Sequence, residues 1–163
     1  MTTIPAVEVT LEIAAPPDEV FSYLTDPARY VRWMGSSAVL EAWPGGRYEV
    51  TMSDGFRAAG TFIAADPSRH VVFTWGFADD EAASRTKEPG GGDRPASDMP
   101  AGSTRVTVTL AAEGGGTRLT LSHDNLPGAD LAAAHQVAWE TYLPRLAAVA
   151  AGVDPGPDPH SAS

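Results

Sequence analysis

The sequence predicts a single α+β domain: a curved antiparallel sheet of about six to seven strands wrapped around one long C-terminal helix, with two short helices after the first strand. Three observations carry this. Residues 60–75 read as a β-hairpin, with a polar Asp66-Pro67-Ser68 turn between two apolar runs. Residues 129–151 repeat apolar side chains at helical spacing. Between them and before them, short runs alternate apolar and polar residues and are separated by turns rich in Gly and Pro.

Taken in order, Val7, Val9, Leu11 and Ile13 alternate with Glu8, Thr10 and Glu12, a strand with one wet face. Pro16-Pro17-Asp18-Glu19 opens a helix, because proline is tolerated in the first turn and acids suit the positive end of the dipole. Val20, Phe21 and Leu24 form its apolar stripe. Asp26-Pro27 breaks it, and a second short helix is expected through Tyr30, Trp33 and Met34. Strands follow at 39–42 and 48–52 around Pro44-Gly45-Gly46, with Gly46 and Gly55 expected to take positive φ. The hairpin strands are 57–65 and 70–75. Phe62 and Ala64 are expected on one face of the first, and Val71, Phe73 and Trp75 on one face of the second.

Periodicity then stops. Residues 78–102 are Gly, Pro, Ser, Ala and charge, and are expected to form a flexible loop. Val106, Val108 and Leu110 give another strand, and Leu119, Leu121 and His123 the last. The final helix carries Leu131, His135, Ala138, Tyr142, Leu146 and Val149 on one stripe, widened by Trp139 and Leu143. Pro144 is expected to kink or bend it and Gly152 to stop it. The domain is expected to span 6–152, and the Pro-rich residues 153–163 to be a disordered tail.

Composition excludes several function classes. The chain has no cysteine, so disulfides, thiolate metal sites and a cysteine nucleophile are ruled out, and a reducing cytoplasmic location is expected. The formal charge is −10 with a single lysine, Lys87, and scattered arginines, which opposes binding to nucleic acid or an anionic membrane. No stretch approaches the roughly 18 apolar residues of a spanning helix. Residues 1–5 lack the basic-then-apolar pattern of a secretory signal. There is no Gly-x-Ser-x-Gly elbow, no Gly-x-Gly-x-x-Gly after a strand, and no carboxylate pair on one inner face. No cofactor is expected.

An ordered set of residues resembles a known family. Pro17-Asp18-Glu19-Val20-Phe21, Trp33, Gly45-Gly46-Arg47-Tyr48, Gly60 with Pro67, Phe73-Thr74-Trp75, His123, Trp139 and Leu143 are similar to the family named for the C-terminal domain of the heat-shock protein 90 ATPase activator. That family lies within the START/Bet v 1-like (SRPBCC) superfamily. The resemblance covers about residues 6–152 and implies the helix-grip fold, with a cavity for small hydrophobic or amphipathic molecules between sheet and helix. The superfamily includes lipid carriers, receptors and polyketide cyclase-like domains, so no single reaction is implied. The chaperone activator has a further N-terminal domain for which this sequence leaves no room, which argues against chaperone activation.

The cavity residues expected are Phe21, Trp33, Phe62, Phe73, Trp75, Leu121, His123, His135, Trp139, Tyr142 and Leu143. His123 continues the inward Leu119/Leu121 face, as a polar handle or as a hydrogen-bonded core histidine. His123 and His135 together lack the third ligand that a metal site needs, and Asp124 points to the opposite face. Most tyrosine hydroxyls are expected at the surface, and Arg47 and Arg57 in solvent. The expected function is a non-enzymatic, cytoplasmic binder of a small hydrophobic ligand. Two alternatives stay open: a cyclase or dehydratase-type enzyme using His123 and a tyrosine as acid and base, and a chaperone- or regulator-associated interaction module. A homodimer or a protein partner also stays open.

Overall fold

The computed structural model describes residues 7–52, 57–76, 102–126 and 128–156. Alternating apolar residues make seven segments amphipathic, and these pair as one antiparallel sheet. The elements are β1 (Val7–Ile13), α1 (Pro17–Thr25), α2 (Pro27–Tyr30), β2 (Ser37–Leu40), β3 (Arg47–Thr51), β4 (Arg57–Asp66), β5 (His70–Trp75), β6 (Thr104–Glu113), β7 (Gly116–Asp124) and α3 (Ala129–Ala150). The strand order is β1-β7-β6-β5-β4-β3-β2, so the first strand closes against the last and the middle strands form a meander.

Register places one apolar row on the inner face. Val9 pairs with Leu121 and Leu11 with Leu119 between β1 and β7, and Val108 pairs with Leu121 between β6 and β7. Phe73 pairs with Val106 and Trp75 with Thr104 between β5 and β6. Directly opposed side chains share a face, and α3 covers this one with Trp139, Tyr142, Leu143, Leu146 and Val149, all buried. The helix ends in a Schellman motif. Gly152 takes φ +84, its N–H donates to the Val149 carbonyl, and the Val153 N–H donates to the Ala148 carbonyl at 2.8 Å. Pro144 lies exposed inside one continuous helix.

Several local expectations are corrected. A bulge between Phe62 and Ala64 pairs Ala64 with Val72, so Ala64 leaves the face of Phe62. At the Pro44 turn it is Gly45 that takes φ +88. Gly46 is needed for space, because a Cβ there would lie 1.9 Å from the Glu41 carbonyl oxygen. Strand β2 stops at Leu40 rather than 42, since the Trp43 N–H turns back to the Glu41 carbonyl. Helix α2 stops at Tyr30, leaving Trp33 and Met34 in the turn beyond it, where Gly35 at φ +85 redirects the chain into β2.

The expected loop at 78–102 lies, apart from Gly102, outside the described residues, as does Gly55. Of the expected tail, 153–156 is held: Arg145 donates to the Pro155 carbonyl at 3.1 Å and to the Gly156 carbonyl at 3.1 Å. Residues 157–163 lie outside the described residues. No described helix is long and apolar enough to cross a membrane.

Candidate functional site

Three strand ends and one helix converge on a polar-aromatic cluster. β5 ends at Trp75, β6 begins opposite it at Thr104, and β7 delivers His123 opposite Val106. Alternation along the strands turns all three side chains inward. From α3, His135 and, one turn later, Trp139 come down onto them. All five residues are buried. The His123 and His135 rings meet edge-on at 5.1 Å between centroids, and the Trp75 and Trp139 rings lie 5.3 Å apart.

The hydrogen bonds fix the protons. Thr104 donates its only hydroxyl hydrogen to the Trp75 carbonyl at 2.6 Å, since a carbonyl can only accept. The 2.8 Å contact between Thr104 Oγ1 and His123 Nε2 therefore requires an Nε2–H donor. Trp139 Nε1–H donates to His123 Nδ1 at 3.1 Å, so Nδ1 carries the lone pair. His123 is thus the neutral Nε2–H tautomer. Protonating it would set two N–H groups against each other. Burial, then the neighbouring His135, lowers its pKa to about 3. His135 Nδ1–H donates to the Leu131 carbonyl at 2.9 Å; burial lowers its pKa too, against the opposing pull of that hydrogen bond.

One donor in this cluster is left over. Trp75 is 5% exposed, and its indole Nε1 is buried with no acceptor among the described residues.

A second aromatic cluster adjoins the first. The Tyr48 ring stacks on Phe73 at 4.0 Å and meets Phe62 at 5.8 Å, and it lies 5.9 Å from Trp75. The hydroxyls of Tyr30 and Tyr48 bond to each other deep in the core, and Tyr30 also reaches Met34 Sδ. Burial pushes both phenols well above their usual range. This corrects the expectation that tyrosine hydroxyls lie at the surface: strand β3 and helix α2 each bury theirs, and the two groups satisfy each other.

Of the residues expected to line a cavity, Trp75, His123, His135 and Trp139 come together, with Phe62 and Phe73 beside them. Leu121, Tyr142 and Leu143 are buried in the same core, and Phe21 is half-buried against it. Trp33 belongs to the corner under α1 and α2, where its ring packs on Tyr30 and its indole donates to the Tyr23 carbonyl at 2.9 Å. Arg47 and Arg57 point outward onto Glu49.

Thr104 was not expected at the site, and Tyr30 and Tyr48 were expected to keep their hydroxyls at the surface. For Thr104 the signal is the alternation of β6 extended back one step beyond Val106. A separate surface groove of about 510 Å³, bordered by Glu19, Tyr23, Arg32, Val149 and Asp154, shares no residue with the cluster.

No curated protein matches the sequence. An AHSA1-like protein from Rhizobium etli, solved by NMR in solution, is 37% identical over 97% of this chain and 89% of that one, with TM-score 0.67. DynU16, a protein of the dynemicin biosynthetic locus, is 24% identical over 94% of this chain and 50% of its own, with TM-score 0.67. The Aha1 dimer of Colwellia psychrerythraea is 20% identical over 90% of this chain and 93% of its own, with TM-score 0.64. These last two bear on the fold alone, which is the Bet v 1-like helix-grip fold. The model of the family described as activator of Hsp90 ATPase homolog 1-like protein matches residues 14–151, and the chain belongs to that family.

Proposed function

We propose that this protein binds a small hydrophobic or amphipathic molecule between the inner face of the sheet and α3, without transforming it. The observation that carries this reading is the buried Trp75 indole N–H, which has no acceptor among the described residues. Leaving such a donor unmet costs about 1–3 kcal/mol. A core evolved only for stability gains nothing from that cost, whereas a ligand that brings an acceptor removes it on binding.

The state of His123 supports binding over acid–base catalysis. Both of its nitrogens are already engaged, and its pKa of about 3 leaves it a poor proton acceptor near neutrality. The location of DynU16 in a biosynthetic locus fits a fold that handles small organic molecules.

A thermal-shift screen of aromatic and fatty compounds tests the reading. A compound at about 100 times its dissociation constant stabilises by roughly 2.7 kcal/mol, or roughly 5–10 °C for a domain of this size. Stabilisation by members of the panel is expected. A flat response across both chemical classes contradicts the proposal.

A further inference from the structure

We infer that α3 is built as two units meeting at Pro144, and that protonation of His123 releases the first of them, residues 129–139, from the sheet while the second stays in place.

The two units are held differently. Pro144 has no N–H to give the Glu140 carbonyl, so the helix ladder is interrupted there. Beyond it, Arg145 donates to three carbonyls: Trp33 at 3.0 Å, Pro155 at 3.1 Å and Gly156 at 3.1 Å. Leu146 and Val149 are buried, and the bonds from Gly152 and Val153 close the helix end. Before Pro144, α3 starts at Gly128 with no side-chain cap. Ala133, Ala134 and Val137 are exposed. Gln136 reaches the Glu8 carbonyl on the edge strand at 3.2 Å, and the Trp139 indole reaches His123 Nδ1 in the interior at 3.1 Å.

The Trp139–His123 bond works in one protonation state. Nδ1 must keep its lone pair to accept the indole N–H, while Nε2–H is committed to Thr104, whose own hydrogen goes to the Trp75 carbonyl. A proton on Nδ1 would face another donor. No carboxylate among the described residues answers the resulting cation. Val7 and Val106 oppose His123 on β1 and β6, Trp75 faces it from β5, and the titratable side chain facing it from α3 is His135, with 5.1 Å between ring centroids. Protonated, His135 adds like charge. Glu8, Arg105 and Asp124 fall on the outer face by alternation. Burial and His135 accordingly keep the His123 pKa low. The proton is taken up as Trp139 withdraws, and a detached helix of three turns is marginal in water, so its amides exchange.

Native-state hydrogen exchange of the full chain, read amide by amide by NMR and corrected for the intrinsic effect of pH, tests this. At pH 6.5, protection at 133–139 should lie at least about ten-fold below that in β6 and β7, and below that at 146–149. Between about pH 6.5 and 5.0, above the ordinary carboxylate range, protection at 133–139 should fall roughly 15-fold further in the wild type than in His123→Gln, because the released unit leaves an ordinary histidine behind. Glutamine keeps both hydrogen bonds without titrating, and His135 titrates in both proteins.

Equal protection on the two sides of Pro144 overturns the two-unit helix. An equal pH response in wild type and His123→Gln overturns the role of His123. If that variant does not fold, the wild type decides alone: protection at 133–139 that stays constant over this pH interval overturns the release.

Discussion

Replacing His123 by Gln changes how the fold responds to acid, and the size of the change follows from the pKa that burial, then His135, hold low. A glutamine can accept from the Trp139 indole with its oxygen and donate to Thr104 with its amide, as the neutral Nε2–H tautomer does, but it does not titrate. An unfolded histidine takes its proton near pH 6.5, whereas folded His123 holds off to about 3. A group whose folded pKa is depressed leaves stability intact above the unfolded value and removes it as pH falls toward the folded one. Between those limits the loss approaches about 1.4 kcal/mol per pH unit. From about pH 7.5 to about pH 4.5 the wild type should therefore lose about 2–3 kcal/mol more than His123→Gln. His135 and the carboxylates titrate in both proteins, so their contributions largely cancel in the difference. Urea denaturation at a series of pH values reads the difference directly, provided the slope with denaturant is unchanged. Parallel pH profiles would refute the lowered His123 pKa.

Three further outcomes follow from the same geometry. Trp139→Phe removes the donor to His123 Nδ1, so stability should drop by about 1–3 kcal/mol, checked by chemical denaturation. Tyr48→Phe should cost about 1–3 kcal/mol, and adding Tyr30→Phe should cost much less than the sum, because the two hydroxyls satisfy each other; a double-mutant cycle measures the coupling. Gly60→Ala should destabilise by about 1–3 kcal/mol or more, since its Cβ would lie 2.0 Å from the Thr74 carbonyl oxygen; chemical denaturation checks it.

Period and punctuation made the sheet and the long helix readable. Val71, Phe73 and Trp75 turn inward as alternation requires, and α3 buries His135 and Trp139 as its stripe requires. What alternation does not encode is an extra residue: nothing in Phe62-Ile63-Ala64 announces the bulge that turns Ala64 away. Glycine identity marks a turn without saying which of two adjacent glycines needs the positive φ and which needs the space, as Gly45 and Gly46 illustrate. The candidate site was half legible. Its rings followed from face and spacing, but the hydrogen bonds that hold His123 neutral depend on Thr104, which begins β6 directly after the stretch without periodicity. The Tyr30–Tyr48 pair was hidden because its partners come from α2 and β3, far apart in sequence and joined only by the fold.

The central proposal is that a small hydrophobic or amphipathic molecule binds between the sheet and α3. The most direct measurement is the set of intermolecular nuclear Overhauser contacts to the protein from an aromatic compound of the thermal-shift panel. The account predicts contacts to the rings of Trp75, Trp139 and His135, with none to the surface-exposed Trp43, which is 58% accessible. Contacts confined to Trp43, or to the groove at Tyr23 and Arg32, would contradict it.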